Sequence, residues 1–170
     1  MRPILFLLFA FPLLLSSQDH FEPLDIYDLE FVANPTISPD GNSVVYTRHF
    51  MDVMTDKRLS NLWISSTNGT MQRPLTTGKQ NDGSPIWSPD GSVIYYTSNT
   101  TGKSQIYKMW LRSRQTMPLT DVRSSPRSMV LSPDGKTLAF TMSVKAKPKS
   151  MSVLPPKPEG AKWALSLIHI

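Results

Sequence analysis

The tetrapeptide Ser-Pro-Asp-Gly occurs three times in this chain and constrains its fold more than any other feature. The copies begin at Ser38, Ser88 and Ser132, and each lies between apolar and β-branched or aromatic residues. Proline presets φ for the first turn position, aspartate bonds nearby backbone amides, and glycine accepts the positive φ that closes the reversal. Strand-forming residues on both sides of such a turn predict a β-hairpin. Structural turn roles are therefore assigned to Asp40, Gly41, Asp90, Gly91, Asp134 and Gly135.

A second set of landmarks repeats at the same distance. The apolar segment at Leu62 recurs at Ile106, and Pro74-Leu75-Thr76 recurs at Pro118-Leu119-Thr120. Both separations are 44 positions, as is the distance between the second and third turns, whereas the first two turns lie 50 positions apart. The extra residues of the first unit are expected in a loop around Met51–Leu59. A repeat of about 40 to 50 residues with four short strands is typical of a propeller blade.

We therefore predict an all-β fold: a partial β-propeller of two four-stranded blades and the opening hairpin of a third. A short helix at Pro23–Phe31, with Leu24, Tyr27 and Phe31 on one face, is predicted to cover an edge of the first blade. The predicted strands of the second unit are Pro85–Ser88, Val93–Ser98, Gln105–Leu111 and Thr116–Thr120. The predicted segments are 1–17 (signal peptide), 18–33 (short helix and lead-in), 34–143 (partial propeller), 144–164 (Pro/Lys-rich loop or linker, with partner binding as the alternative) and 165–170 (aberrant apolar tail).

The amino terminus has the layout of a secretory signal peptide. Arg2 precedes an uncharged, Leu- and Phe-rich run of twelve residues, Ile4–Leu15, and small polar residues follow. This run is shorter than the ~20 residues that span a bilayer, although an uncleaved anchor remains an alternative reading. The expected location is the secretory lumen or the exterior, or the periplasm of a bacterium, without membrane attachment after cleavage. Two sequons, at Asn68 and Asn99, are candidate glycosylation sites on this route.

Composition excludes several kinds of chemistry. The formal charge of +5 comes without an arginine-rich tract, so we predict no nucleic-acid partner. The absence of cysteine removes disulfides and thiolate ligands. A calcium role for the three repeated turn aspartates is disfavoured, because calcium takes six to eight oxygen ligands and each turn offers one carboxylate. No Gly-x-Ser-x-Gly motif occurs, and His20, His49 and His169 lack a recognisable triad or metal spacing. We therefore predict no catalytic residue, metal site or cofactor in this chain.

The order of these motifs resembles the amino-terminal propeller of the prolyl oligopeptidase family of serine peptidases. The likeness is greatest to its dipeptidyl-peptidase and acylaminoacyl-peptidase branch and covers about Asp25 to Ala164. TolB-like periplasmic propellers share the Ser-Pro-Asp-Gly repeats, so the whole series of motifs carries the resemblance. Its segments are Leu29–Val32, Pro35–Gly41, Asn61–Ile64, Arg73–Thr76, Pro85–Gly91, Gln105–Tyr107 and Leu154–Trp163.

The resemblance implies a parent protein in which the propeller caps an α/β-hydrolase domain and admits short peptides to its serine nucleophile. The implied partners are the missing blades, the hydrolase domain and peptide substrates. Some members hold the substrate amine with paired glutamates, but Glu22, Glu30 and Glu159 are not adjacent here. That role is therefore not carried over.

The chain is shorter than the seven or eight blades of that family require. We interpret it as an N-terminal propeller fragment, not catalytic by itself, of a secreted serine peptidase. One alternative is a TolB-like, non-enzymatic, protein-binding propeller, and another is a product of gene misassembly. Because each blade buries its faces against neighbours, we expect the isolated 170-residue chain to aggregate or associate.

Overall fold

The computed structural model of the protein describes residues 21–145 and 159–160. The predicted signal peptide (1–17), the tail (165–170) and most of the linker (144–164) lie outside the described residues. In the described part of the chain, a 3-10 helix at Pro23–Tyr27 precedes ten strands. The strands are β1 (Phe31–Ile37), β2 (Ser43–Asp52), β3 (Lys57–Ser66), β4 (Gln72–Pro74), β5 (Asp82–Trp87), β6 (Val93–Ser98), β7 (Gln105–Trp110), β8 (Thr116–Pro118), β9 (Arg127–Leu131) and β10 (Leu138–Thr141).

Consecutive strands pair antiparallel in three sheets. The first sheet has the order β1-β2-β3-β4, the second has β5-β6-β7-β8, and β9 pairs with β10 alone. The first four-stranded sheet is called blade 1, the second blade 2, and the β9–β10 hairpin blade 3. The predicted fold class, two blades and the opening hairpin of a third, is confirmed.

The blades stand side by side, with their first strands closest together. β5 contacts β1, β2 and β3 of blade 1, and β9 contacts β5. The main hydrophobic core consequently lies between blades 1 and 2 rather than within either sheet. Burying an aliphatic or aromatic side chain stabilises the fold by about 1.5–3 kcal/mol, so these residues tie the two blades together. They are Val45, Leu62, Ile64 and Leu75 from blade 1 and Ile94, Tyr96, Tyr107 and Met109 from blade 2.

The six additional residues of blade 1 lengthen a hairpin. β2 and β3 each have ten residues and pair continuously from Ser43↔Ser66 to Asp52↔Lys57, whereas β6 and β7 have six residues each. The insertion lies at the predicted place in the chain. It forms paired strands where a loop was expected, because residues such as Phe50 and Leu59 can face each other across the ladder.

The helix predicted over Pro23–Phe31 is wrong in its second half. The helical turn ends at Tyr27, and Phe31 begins β1, where it pairs with His49. The lengthened hairpin offers Phe31 a strand partner, and this pairing overrides the helical spacing of the apolar residues. Leu24 is 69% exposed, and the Tyr27 hydroxyl donates to Asp56 Oδ1 (3.0 Å) at the hairpin turn. The short helix therefore lies against the β2–β3 hairpin.

Candidate functional site

A β-bulge recurs at the same position in the first strand of each blade. The pairing register shifts by one residue between Ala33 and Thr36, between Gly83 and Ile86, and opposite Ala139 and Thr141. At each shift one residue that is not glycine takes a positive φ. These residues are Asn34 (50°), Ser84 (51°) and Ser128 (49°).

The sequence around the bulges explains two of them. Pro35 and Pro85 follow the positive-φ residues, and proline in a sheet is found at bulges and edges because it has no N–H for the ladder. Asparagine is among the residues that tolerate the left-handed region best. Sequence reasoning missed the bulges, although a signal was present: each positive-φ residue stands four positions before the serine of a Ser-Pro-Asp-Gly turn.

The first two bulges border a polar recess between blades 1 and 2. The recess has a volume of about 220 Å³, and Asn34, Ser84, Thr47, Thr97 and His49 are among its lining residues. Hydroxyl, amide and imidazole groups can both donate and accept hydrogen bonds. Bulges re-aim side chains where a strand approaches a functional surface. We call this the inner-edge recess, and it can bind a polar chain such as a peptide backbone.

The recess contains serine, histidine and aspartate, but they do not form a catalytic triad. The Ser60 hydroxyl donates to the main-chain oxygen of Asp82 (2.8 Å), not to a carboxylate. The His49 ring stacks on Phe31 with its centroid 4.5 Å away. His49 and Ser60 face each other in the β2–β3 ladder, and among the side-chain hydrogen bonds of the described residues none joins them. Burial, and secondarily the charge of Arg58, lower the pKa of His49 from its usual 6.5.

Two polar atoms beside the recess lack a protein partner in the described part of the chain. Asp82 is 1% exposed; its Oδ2 accepts from the Gln80 amide (3.0 Å), whereas its Oδ1 and the Thr47 hydroxyl have no partner. An unsatisfied buried polar group costs about 1–3 kcal/mol, so this region favours water or another polar group. Burial, and then the charge of Asp82, raise the pKa of Tyr96. The recess is therefore suited to binding a polar group.

The three predicted turn motifs adopt one common structure. In the second turn, the Ser88 hydroxyl donates to Asp90 Oδ1 (2.5 Å) and accepts the Val93 N–H (2.9 Å). The same two bonds recur at Ser38 and at Ser132. Hydrogen bonding, first from the serine hydroxyl, lowers the pKa of each turn aspartate, and that of Asp90 falls to about 2. The three glycines take positive φ values: 74° at Gly41, 69° at Gly91 and 69° at Gly135.

The two candidate glycosylation sites differ in accessibility. Asn68 is exposed in the turn between β3 and β4, and its Oδ1 accepts from the Thr70 N–H (3.1 Å) and hydroxyl (2.7 Å). Asn99 is half-buried, lines the inner-edge recess, and accepts the Asn81 N–H at 2.7 Å. A glycan has free space at Asn68, whereas at Asn99 it would crowd the recess.

Two further searches were confined to the described residues. Over 21–145 and 159–160, no three His, Cys, Asp or Glu side chains converge as a metal site would require. Within the same ranges, no helix combines the length and the apolar character needed to cross a bilayer.

The blade repeat and its turns place the chain in a known family. A family model described as the TolB beta propeller domain matches residues 29–157. The chain therefore belongs to the TolB β-propeller domain family.

Relatives of known name include peptidases as well as TolB. The chain is 31% identical over 91 residues to dipeptidyl-peptidase 5 of Porphyromonas gingivalis and 33% identical over 86 residues to the uncharacterized peptidase YuxL of Bacillus subtilis. These matches cover 54% and 50% of this chain but only 13% of each peptidase. The Tol-Pal system protein TolB of Alkalilimnicola ehrlichii is 31% identical over 91 residues, which are 54% of this chain and 20% of TolB.

Solved structures show the same fold. An acylaminoacyl peptidase of Pyrococcus horikoshii matches with a TM-score of 0.58 at 16% identity, over 78% of this chain and 20% of the peptidase. A protein described as a putative TolB of Agrobacterium tumefaciens matches with a TM-score of 0.53 at 24% identity, over 66% of this chain and 38% of the TolB chain. The resemblance to peptidase propellers that the motifs predicted is confirmed, and the chain spans a small part of those relatives.

Proposed function

We propose that this chain is the N-terminal propeller segment of a secreted serine peptidase of the prolyl oligopeptidase type and does not itself cleave peptides. The observation that carries the proposal is the match to two peptidases at 31% identity over 91 residues and 33% identity over 86 residues. The series of motifs from Leu29 to Trp163 supports the same family. In this proposal a hydrolase domain, encoded beyond the propeller, supplies the nucleophile.

The inner-edge recess suggests what the propeller contributes. Asn34 and Ser84 face solvent on the first strands of adjacent blades, where the blades converge. Their amide and hydroxyl groups can hydrogen-bond a peptide main chain without selecting its side chains. The propeller would therefore gate and orient short peptides.

A fluorophosphonate probe, which labels activated serines, tests this proposal. We expect no label on the 170-residue chain and strong label on the product of the extended reading frame. In that longer product, replacing the serine of its Gly-x-Ser-x-Gly motif by alanine is the control and should abolish the label. Labelling of the 170-residue chain, or an extended frame without such a motif, would contradict the proposal.

A TolB-like, non-enzymatic binding propeller is the second candidate function. The match to TolB, at 31% identity over 91 residues, favours it. Under this alternative, the extended reading frame adds blades and ends without a hydrolase domain. Sequencing the full transcript therefore distinguishes the two candidates.

We also propose that the chain enters the secretory pathway and, in a eukaryotic host, carries a glycan at Asn68. Residues 1–17 have the signal-peptide pattern, and Asn68 is an exposed sequon. Amino-terminal sequencing of the secreted product should begin at Gln18. N-glycosidase treatment should increase the gel mobility of the wild-type protein and of the Asn99→Gln variant, but not that of the Asn68→Gln variant. A wild-type protein whose gel mobility does not change would refute glycosylation at Asn68. A secreted product that still begins at Met1 would refute cleavage of the signal peptide.

A further inference from the structure

Blade 1 has an apolar face on the side away from blade 2, and one end of it is exposed. Val44, Tyr46 and Trp63 of blade 1 stand at the same positions in the repeat as Ile94, Tyr96 and Tyr107 of blade 2. Those three residues of blade 2 are buried in the core between the two blades. At the end of β1 on the same face, Ile37 is 66% exposed. It corresponds to Trp87, which packs against the inter-blade core. Blade 1 thus has the residue types of a covered face. Tyr46 is 8% exposed and the Arg48 guanidinium lies 4.7 Å from the centroid of the Trp63 ring, so among these described residues it is Ile37, at the end of β1, that stands open.

The turns show how one blade meets the next. A Cβ added at Gly91 would lie 3.6 Å from Cδ of Pro39, and one added at Gly135 would lie 3.2 Å from Cδ of Pro89. The proline of each turn thus packs over the glycine of the following turn. At Gly41 nothing lies within 4 Å of the equivalent position. Within residues 21–145, the stack begins with an uncovered Gly41 and ends at Pro133.

Blade 3 carries a surface that corresponds to the face of blade 1 that packs on blade 2. Ala139 occupies the repeat position of Val45, which covers the core of blade 2. Val130 corresponds to Thr36, whose carbonyl accepts the indole N–H of Trp87 across the junction (3.0 Å). Val130 is 64% exposed, and Ala139 is also exposed. The described residues of blade 3 therefore supply the counterparts of Thr36 and Val45, the part of the covering surface that lies on the first two strands of a blade.

We propose that the 170-residue chain binds a second copy of itself head to tail. The exposed face of β9–β10 in one copy covers the Ile37 end of the outer face of blade 1 in the next, with Pro133 over Gly41. Because the two surfaces differ, the contact is heterologous and can propagate beyond a dimer. This inference is independent of the proposed peptidase parentage.

Sedimentation velocity over a range of concentrations tests the contact. The wild-type chain should form dimers and larger species as its concentration rises. Ile37→Lys blocks one surface and Val130→Lys the other, so each variant alone should associate at least about tenfold more weakly, because a lysine charge would be buried. Met54→Lys, at an 82% exposed position in the β2–β3 turn, is the matched control and should behave as wild type.

Mixing the two blocked variants tests the polarity. Ile37→Lys retains a free blade 3 surface and Val130→Lys retains a free blade 1 surface, so the mixture should form a 1:1 dimer that grows no further. Both substitutions lie at sites more than 60% exposed, and circular dichroism should show unchanged folding. A wild-type chain that stays monomeric, a Val130→Lys variant that still self-associates, or a mixture without dimer would overturn the proposal.

Discussion

Each turn glycine meets a constraint on its backbone and, in one of the three turns, a constraint on the space for a side chain. The positive φ favours glycine in all three turns. The proline of the preceding blade limits the room for a side chain at Gly135, where an added Cβ would lie 3.2 Å from Pro89; at Gly91 the distance of 3.6 Å from Pro39 is an ordinary contact, and at Gly41 nothing lies within 4 Å. Sequence reasoning recognised the first constraint because it is local, and it could not see the second.

This difference predicts unequal costs for the same substitution. Gly41→Ala should lower the free energy of unfolding by about 1–2 kcal/mol, the cost of an alanine in the left-handed region. Gly135→Ala should cost about 1 kcal/mol more, since the added methyl would lie 3.2 Å from Pro89 and force the turns apart. Urea denaturation of both variants measures this, and equal losses would contradict the packing argument.

Asp90 makes stability depend on pH in the acid range. Its pKa is lowered from 3.8 to about 2, first by the Ser88 hydroxyl and then by the Ser92 hydroxyl and N–H. Because the folded pKa lies below the unfolded one, this stabilisation is complete above about pH 3.8 and is lost as the pH falls toward 2. In urea denaturation between pH 2 and 5, Asp90→Asn should flatten this slope.

The control for that measurement is Asp121→Asn, at an exposed aspartate outside the turns. It should leave the acid slope as in the wild-type protein. An Asp90→Asn variant with an unchanged slope would show that the turn carboxylate does not contribute.

At the scale of elements, strands β1 and β5 combine a local irregularity with a long-range contact. Their bulges interrupt the ladder at Asn34 and Ser84. Two residues after the first bulge, the main-chain oxygen of Thr36 accepts a hydrogen bond from the indole N–H of Trp87 (3.0 Å). The hydrogen bond joins residues 51 positions apart. It fixes the first strand of blade 2 against the first strand of blade 1.

Removing this hydrogen bond should loosen the contact between the two strands. Trp87→Phe keeps an aromatic ring but loses the donor, and we expect a loss of about 1–2 kcal/mol in the free energy of unfolding. The matched control is Trp110→Phe, where the ring lies under the Lys108 ammonium (4.6 Å) and Phe retains that aromatic face. Thermal denaturation compares the two variants, and equal changes would argue against the hydrogen bond as the cause.

At the scale of the molecule, the core between blades 1 and 2 couples the two sheets. Leu62 is fully buried in it and contributes to the face that covers blade 2. A sheet that buries its face against a neighbour depends on that neighbour for stability. Blades 1 and 2 should therefore unfold as one unit.

Shortening the central side chain of this core tests that coupling. Leu62→Ala should destabilise the protein by about 2–5 kcal/mol, because it leaves a cavity between the blades. Val53→Ala, at a 59% exposed position, should change stability by no more than about 0.5 kcal/mol. Hydrogen exchange should show protection falling together in β2 and β6 of the Leu62 variant. Loss confined to blade 1 would show that the blades unfold independently.

The sequence by itself determined the blade repeat, the strands β5–β8 within a few residues, and the three turns. It could do so because proline, aspartate and glycine act on the backbone beside them, and the 44-residue spacing repeats that local chemistry. Only the tertiary structure decided the strand at Phe31, the bulges at Asn34 and Ser84, and the burial of Asp82 beside the inner-edge recess. Those features depend on which strand or blade lies alongside, and adjacency between residues 18 positions apart, as for Phe31 and His49, or 51 apart, as for Thr36 and Trp87, is a property of the packed molecule.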